Sequence, residues 1–458
     1  MVACVAATFW PGVAMYDTVA QYDQVLNNQV DDWHPPAMVR LWQVLHHLGG
    51  TTGPMFVLQA ALYGSGFALI VAALGTIRRP RAALAAALLA LSPLLLGWQM
   101  VVLKDAQMLG ALVAAFAIIA HYKLREEQVP FFAAAGSMLL IAFATLVRAN
   151  ALFATVPLAV LMRTPTRSLV GRGAIALVAI LVVLGLSPVI NQKLFGASAS
   201  GVAKSQPLFD LAAIAVATDD SAPFTPIERN QLAVRHCVKN FFWDPIRDQG
   251  ACGPFTNRVN DETQTQLYVE LARSAAAHPL AYTLHRAAHW NSTERWLVEP
   301  HLPDIAPPIE AEPNRLGLAT PRSSFAAAWQ DGAAAEAATP LGWPITWTTI
   351  ALLLLPAAWK RRFESAGGLA LALLVSALSL EASFLVISIA SDLRYHLWSM
   401  TASALALILL GDDFSLKRRG WSVGMAVVVL VSMMGIYSRL SSSPAPDSYQ
   451  GMLHAASG

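Results

Sequence analysis

Charge is what this sequence has least of. Only 13% of its 458 residues are charged, while 55% are hydrophobic and the mean hydropathy is +0.49. A soluble domain carries about 25% charged residues, so a chain solvated mainly by water is excluded. A surplus of either sign is missing too, since the formal net charge is +2, and nothing here suits nucleic acid. The chain has no internal repeat of the kind that marks most secondary transporters, and no low-complexity tract. It shows no cleavable signal pattern, because the apolar start runs straight into Trp10-Pro11-Gly12. Cysteine is scarce, at three residues.

Apolar runs fill the space that charge leaves. They fall at 1–10, 56–77, 82–98, 105–121, 130–147, 150–162, 173–190, 343–359, 366–390, 395–411 and 420–437. A helix needs about 20 apolar residues to cross a hydrocarbon core. These runs are rich in Ala, Leu and Val and lack the strict alternation of barrel strands. The expected fold class is therefore an all-α polytopic membrane protein with about eleven transmembrane helices. The first run is too short to cross alone, and the sixth is also short.

Basic residues set the orientation. They cluster at Arg78, Arg79 and Arg81, at Lys123 and Arg125, and at Arg163, Arg167 and Arg172. Two further clusters are Lys360 to Arg362 and Lys417 to Arg419. If the runs alternate, all these loops share one side, and short loops rich in Lys and Arg stay cytoplasmic. The chain then divides into an N-terminal transmembrane region (1–190), an extracytoplasmic segment (191–342), a C-terminal transmembrane region (343–438) and a flexible tail (439–458). The first outer loop covers 11–55. The expected location is the cell (inner or plasma) membrane, with the polar sites on its extracytoplasmic face.

Those polar sites gather at the outer edge. The first loop, "YDTVAQYDQVLNNQVDDWHPPAMVRLW", holds Asp17, Asp23, Asp31, Asp32 and His34. Asp17 suits a general base or a metal ligand, or simply a helix N-cap or solvated acid. Asp31, Asp32 and His34 read as an acceptor or metal cluster, or as caps for a helix begun by Pro35-Pro36. That helix carries Met38, Leu41, Trp42, Leu45 and Leu48 on one face and reads as interfacial.

Three more outer stretches carry charge. In "WQMVVLKDAQMLGA", Lys104 and Asp105 open an apolar helix, either as anchors or as a phosphate-binding corner. In "LVRANALF", Arg148 beside Asn150 is a headgroup contact or a functional cation. In "SIASDLRYHLWSM", Asp392, Arg394, Tyr395 and His396 share a tight turn. Arg grips phosphate bidentately, but an Asp–Arg pair can also just tie a turn. Glu381 lies within a span and is expected to pair with Lys104 or Arg148, or to be a neutral core acid. His285 and His289, four apart, could share a helix face but lack a third ligand. Cys237 and Cys252 both lie outside, where a disulfide is permitted.

This arrangement resembles the GT-C superfamily of membrane glycosyltransferases, in its bacterial dolichyl-phosphate-mannose-type and ArnT-like members. Asp17 in "WPGVAMYDTVAQY" matches the acid that follows the family's first span, and "LKD", "VRAN" and "DLRYHLW" match outer-edge motifs. The resemblance implies transfer of a sugar from a polyprenyl-phosphate donor to a lipid, glycan or protein acceptor. It implies Asp17 as base, with Lys104, Arg148, Arg394, Tyr395 and His396 around the donor phosphate. Asp105, Asn150, Glu381 and Asp392 are supporting residues. A divalent cation is the one cofactor the acids would suit, of unknown identity. The rival readings are a transporter or lipid-sugar flippase coupled through Glu381, and a surface-polysaccharide polymerase or ligase.

Overall fold

The computed structural model describes residues 2–163, 168–218, 220, 223–248, 250–300, 302, 305–320, 323–411 and 418–444. The chain opens with a short apolar helix, α1 (Val2–Phe9), and two helices of the first loop, α2 (Tyr16–Asn27) and α3 (Pro36–His46). An apolar series follows: α4 (Gly53–Thr76), α5 (Pro80–Ala90), α6 (Pro93–Gln99), α7 (Lys104–Leu124), α8 (Phe131–Leu146), α9 (Leu152–Arg163) and α10 (Leu169–Val189). Shorter helices fill the central segment: α11 (Ser205–Ala217), α12 (Pro226–Val234), α13 (Asn257–Asn260), α14 (Gln264–Ala277), α15 (Pro279–Thr293) and α16 (Ser324–Ala337). Four apolar helices close the chain: α17 (Pro344–Lys360), α18 (Ser365–Ile387), α19 (Leu397–Gly411) and α20 (Arg418–Ser441). Among the described residues there is no strand, only isolated bridges. Of the expected tail, residues 445–458 lie outside the described residues.

The described residues are all-α, and the expected apolar runs lie mainly on helix, with the run 82–98 divided between α5 and α6. The count of crossings is smaller on length. Among the described residues, six helices are long and apolar enough to span a membrane: Gly53–Thr76, Lys104–Leu124, Val170–Leu194, Ser365–Ile387, Leu393–Gly411 and Ser422–Ser441. α5 and α6 make a seventh only if taken as one span, bent by 52°. The bend follows from Pro93, which cannot continue a hydrogen-bond ladder. Ser92 caps the new helix by accepting from the Leu95 N–H, and its hydroxyl donates to Glu336 of α16 at 2.9 Å. Glu336 also accepts from the Leu94 N–H at 3.0 Å, a carboxylate placed where the helix dipole favours it. α1 has eight residues and α17 seventeen, and α8 and α9 are likewise short apolar helices.

α7 and the span that contains α19 lie deepest in the bundle, with 78% and 83% of their most apolar windows buried. α4 lies tight against α7 because Gly66 has no side chain. A Cβ there would sit 2.8 Å from the Ala114 backbone nitrogen. α10 and α20 are the opposite case, with 0% and 6% of their apolar windows buried.

The central segment has its own small core of Leu208, Phe209, Leu211, Trp243, Ile246, Leu267 and Leu271. Cys237 and Cys252 are joined within it as a disulfide. Arg286 fastens this segment to the bundle. Its guanidinium donates to the carbonyls of Phe384, Leu385 and Ser388 at 2.9–3.0 Å. These are the carbonyls a helix end leaves unpaired, here those of α18. Asp210 holds the same guanidinium at 3.1 Å and also meets His285 Nε2 at 3.1 Å. His285 and His289 are therefore not a ligand pair, since His289 Nδ1 faces the Asn240 carbonyl at 2.7 Å.

Candidate active site

The site is built where the chain leaves helix between α6 and α7. Residues 100–103 are irregular, and buried Gln59 donates to the carbonyls of Gln99 and Val101. Their free edge pairs with the first loop. Val13 N–H donates to Met100 at 2.9 Å, and Val102 N–H donates back to Val13 at 3.0 Å. Thr18 then donates its hydroxyl to the Val102 carbonyl at 2.7 Å. These bonds set the first turn of α2 directly over the start of α7, which is how Asp17 meets Lys104.

Asp17 Oδ2 lies 3.0 Å from Lys104 Nζ and 3.0 Å from Arg394 Nη1. Arg394 is held from the other side by Asp392 Oδ2, at 3.0 Å from Nε and 2.7 Å from Nη2. Asp105 pairs with Arg148 and reaches Arg394 Nε at 3.8 Å. Arg148 also donates to Asn150 Oδ1 at 2.8 Å and lies 4.0 Å over the Tyr395 ring. Three acids (Asp17, Asp105, Asp392) thus face three bases (Lys104, Arg148, Arg394), and the cluster is neutral as it stands. Its side chains are buried or largely so.

Burial alone would push the Asp17 carboxyl up, but Arg394 and Lys104 outweigh it and hold the group well below the usual carboxylate range. Lys104 Nζ also meets His34 Nδ1 at 3.1 Å. Burial first, and then the Lys104 charge, press His34 down to about 3, so its imidazole is neutral at pH 7.

Other candidates lie apart from this cluster. Asp31 accepts from the Trp33 N–H at 2.9 Å, and Asp32 from the N–H and hydroxyl of Ser200 at 2.7 and 2.6 Å. With His34 turned to Lys104, the three do not form one ligand set. Among the described residues no group of three or more His, Cys, Asp or Glu is placed to hold a metal. Asp17 is already matched by two cations, so this donor set does not fit a divalent ion.

Glu381 is a correction. It meets neither Lys104 nor Arg148, but pairs with His396 Nδ1 at 2.7 Å and accepts from Ser399. α18 presents it to α19, away from the cluster. His396 accordingly turns away from Arg394 instead of joining it. Glu294, which carried no signal in the sequence, lies against Glu381 and accepts from Thr348 at 3.1 Å. Burial and then the Glu381 charge raise the Glu294 carboxyl well above its usual range. Only its place in a mainly polar stretch, "HWNSTERW", could have hinted at this.

No family model matches the sequence, and no curated protein matches it. Among solved structures, the chain is similar to the archaeal oligosaccharyltransferase AglB from Archaeoglobus fulgidus, in complex with an inhibitory peptide and a dolichol-phosphate. The identity is 15%, the alignment covers 100% of this chain and 55% of that one, and the TM-score is 0.37. The chain thus spans about half the length of AglB, and so distant a likeness assigns no activity.

Proposed function

We propose that this chain is an integral membrane glycosyltransferase. It moves a sugar from a polyprenyl-phosphate donor to an acceptor at the extracytoplasmic membrane edge. One observation carries the reading: Asp17 lies between Lys104 and Arg394, at the ends of apolar helices. A carboxylate beside two cations suits a reaction that needs a proton acceptor next to a departing phosphate. A lipid-linked sugar presents its reacting carbon just there.

In the proposed step an acceptor O–H or N–H attacks the anomeric carbon. The bond from that carbon to the phosphate oxygen breaks, and the polyprenyl phosphate leaves with the electron pair. Asp17 orients the acceptor and takes its proton. Lys104 and Arg394 offset the charge on the leaving phosphate, with Arg148 and Tyr395 behind them.

The neutral balance of the cluster gives this order a physical reason. A phosphate adds negative charge, so it draws Lys104 and Arg394 away from Asp17. As they let go, the carboxylate loses the partners that depress its basicity. Donor binding therefore makes Asp17 a better base. Asp392 keeps Nε and Nη2 of Arg394 meanwhile, so the guanidinium stays anchored to its turn while Nη1 leaves Asp17.

Comparing lipid-linked sugars and surface glycans in cells with and without the gene tests this. Loss of the gene should raise one polyprenyl-phosphate sugar and remove one glycan substituent. Unchanged pools and glycans would refute the reading. A flippase would instead leave the donor intact on the cytoplasmic leaflet.

A further inference from the structure

Gln21 lies one helical turn beyond Asp17 on the same buried face of α2. It is fully buried, and neither Nε2 nor Oε1 finds a hydrogen-bond partner among the described residues. Gln24, on the next turn, is buried too, and its Oε1 is equally unmet. In the neighbouring helices the buried Gln59, Gln99 and Gln107 each donate Nε2 to a backbone carbonyl, although Oε1 of Gln99 and of Gln107 is unmet. Gln21 differs from all three in that both ends of its amide are unmet. Buried polar groups are ordinarily paired, and an unpaired one costs stability. Where a sequence keeps such a group beside an ionic cluster, function is the physical reason to look for.

We infer that Gln21, with Gln24 beside it, reads hydroxyl groups on the sugar carried by the lipid phosphate. The inference rests on the glycosyl-transfer reading above. A primary amide sets a donor and an acceptor side by side on one rigid plane. Adjacent sugar hydroxyls each donate and accept, so one pair of them satisfies both ends of the amide. A phosphate would meet only the N–H end, and a lipid tail neither. Distance agrees as well. Side chains one turn apart are about 5–6 Å apart at their Cβ atoms, which is the width of a sugar ring. With Asp17 at the anomeric carbon, Gln21 falls beside the ring's remaining hydroxyls. It is then a specificity-determining residue.

Gln21→Met keeps the length of the side chain and removes both hydrogen-bonding atoms. The full chain in nanodiscs is titrated with sugar-free polyprenyl phosphate, and with the same lipid carrying a hexose or a pentose. Wild type should bind one sugar-bearing lipid more tightly than the sugar-free lipid. Gln21→Met should lose about tenfold or more on that lipid, bind the sugar-free lipid as before, and melt at a higher temperature. A purely structural glutamine would give the reverse, with lower melting and the two lipids affected alike. Wild type alone supplies a second test, since removing one ring hydroxyl from the preferred sugar should weaken binding about tenfold or more.

Equal binding of both lipids by wild type, equal loss in the variant, or indifference to every deoxy sugar would overturn the inference and leave the transferase reading standing. Binding of neither lipid by wild type would overturn both.

Discussion

Asp17 Oδ2 meets Arg394 Nη1 at 3.0 Å, and Asp392 takes the other two nitrogens of the same guanidinium. One arginine thus ties the first loop to the turn before α19. Arginine can do this because its planar fork offers donors in fixed directions. A lysine would serve one carboxylate and release the other.

The first consequence concerns the base. Asp17→Asn keeps size and polarity but removes charge and basicity. Transfer should fall about a hundredfold or more, the usual scale for a lost acid–base group, with expression retained. Asp23→Asn is the control, since Asp23 is exposed and only accepts from Asn27 at 3.0 Å. It should stay within about twofold of wild type, as surface changes usually do. A single-turnover assay on both variants checks the contrast.

Arg394 is claimed both by the turn and by the proposed donor phosphate. Arg394→Lys should weaken donor binding, and Arg394→Ala should weaken it further. The double variant Asp392→Asn with Arg394→Gln separates the roles, because neither charge of that pair is left alone. It should remain inactive if Arg394 grips phosphate. Recovery of donor binding there would assign Arg394 to the turn alone.

His34 gives a pH signature. It titrates near 3 in the folded protein and near 6.5 when unfolded. Between those values the unfolded chain holds more protons, so stability falls as pH drops from about 6.5 toward 3. At pH 5 this one site should cost about 2 kcal/mol relative to pH 7. His289, pressed to about 3 mainly by burial, adds to the slope in the same direction. His34→Gln should flatten the melting-temperature curve over that range without abolishing it. An unchanged curve would mean that His34 is not buried against Lys104.

The disulfide is covalent and simple to check. Cys237 and Cys252 close a loop of 15 residues, a length for which a crosslink is worth about 3 kcal/mol. Peptide mapping without reduction should recover the two cysteines in one linked species. The double Cys→Ser variant should lower the melting temperature. Two free, alkylatable thiols would contradict this.

The sequence was legible where composition and charge decide. Apolar runs form helices, and Lys104 and Arg394 meet Asp17 while Arg148 meets the neighbouring Asp105 in the same cluster. Lateral neighbours were not legible. Along the sequence Glu381 suits either the cations at its own membrane edge or a core position, and α18 is rotated so that it faces His396 and Ser399 of the adjoining turn and helix. Gln21 carries no signal in "VAQYDQ", because nothing along a sequence shows that both ends of an amide go unmet. Among the described residues six helices reach full spanning length, and the remaining apolar runs fall on shorter or broken helices such as the pair bent by 52° at Pro93.

The central claim is that this chain itself transfers sugar from a polyprenyl phosphate, through Asp17. The direct measurement uses purified protein in proteoliposomes. They are loaded with polyprenyl phosphates bearing labelled hexose or pentose, and a mixture of glycan, lipid and peptide acceptors is added. Wild type should convert one donor to free polyprenyl phosphate with label appearing on an acceptor, and Asp17→Asn should not. Label that stays on the lipid with wild type, or equal conversion by folded Asp17→Asn, would contradict the account.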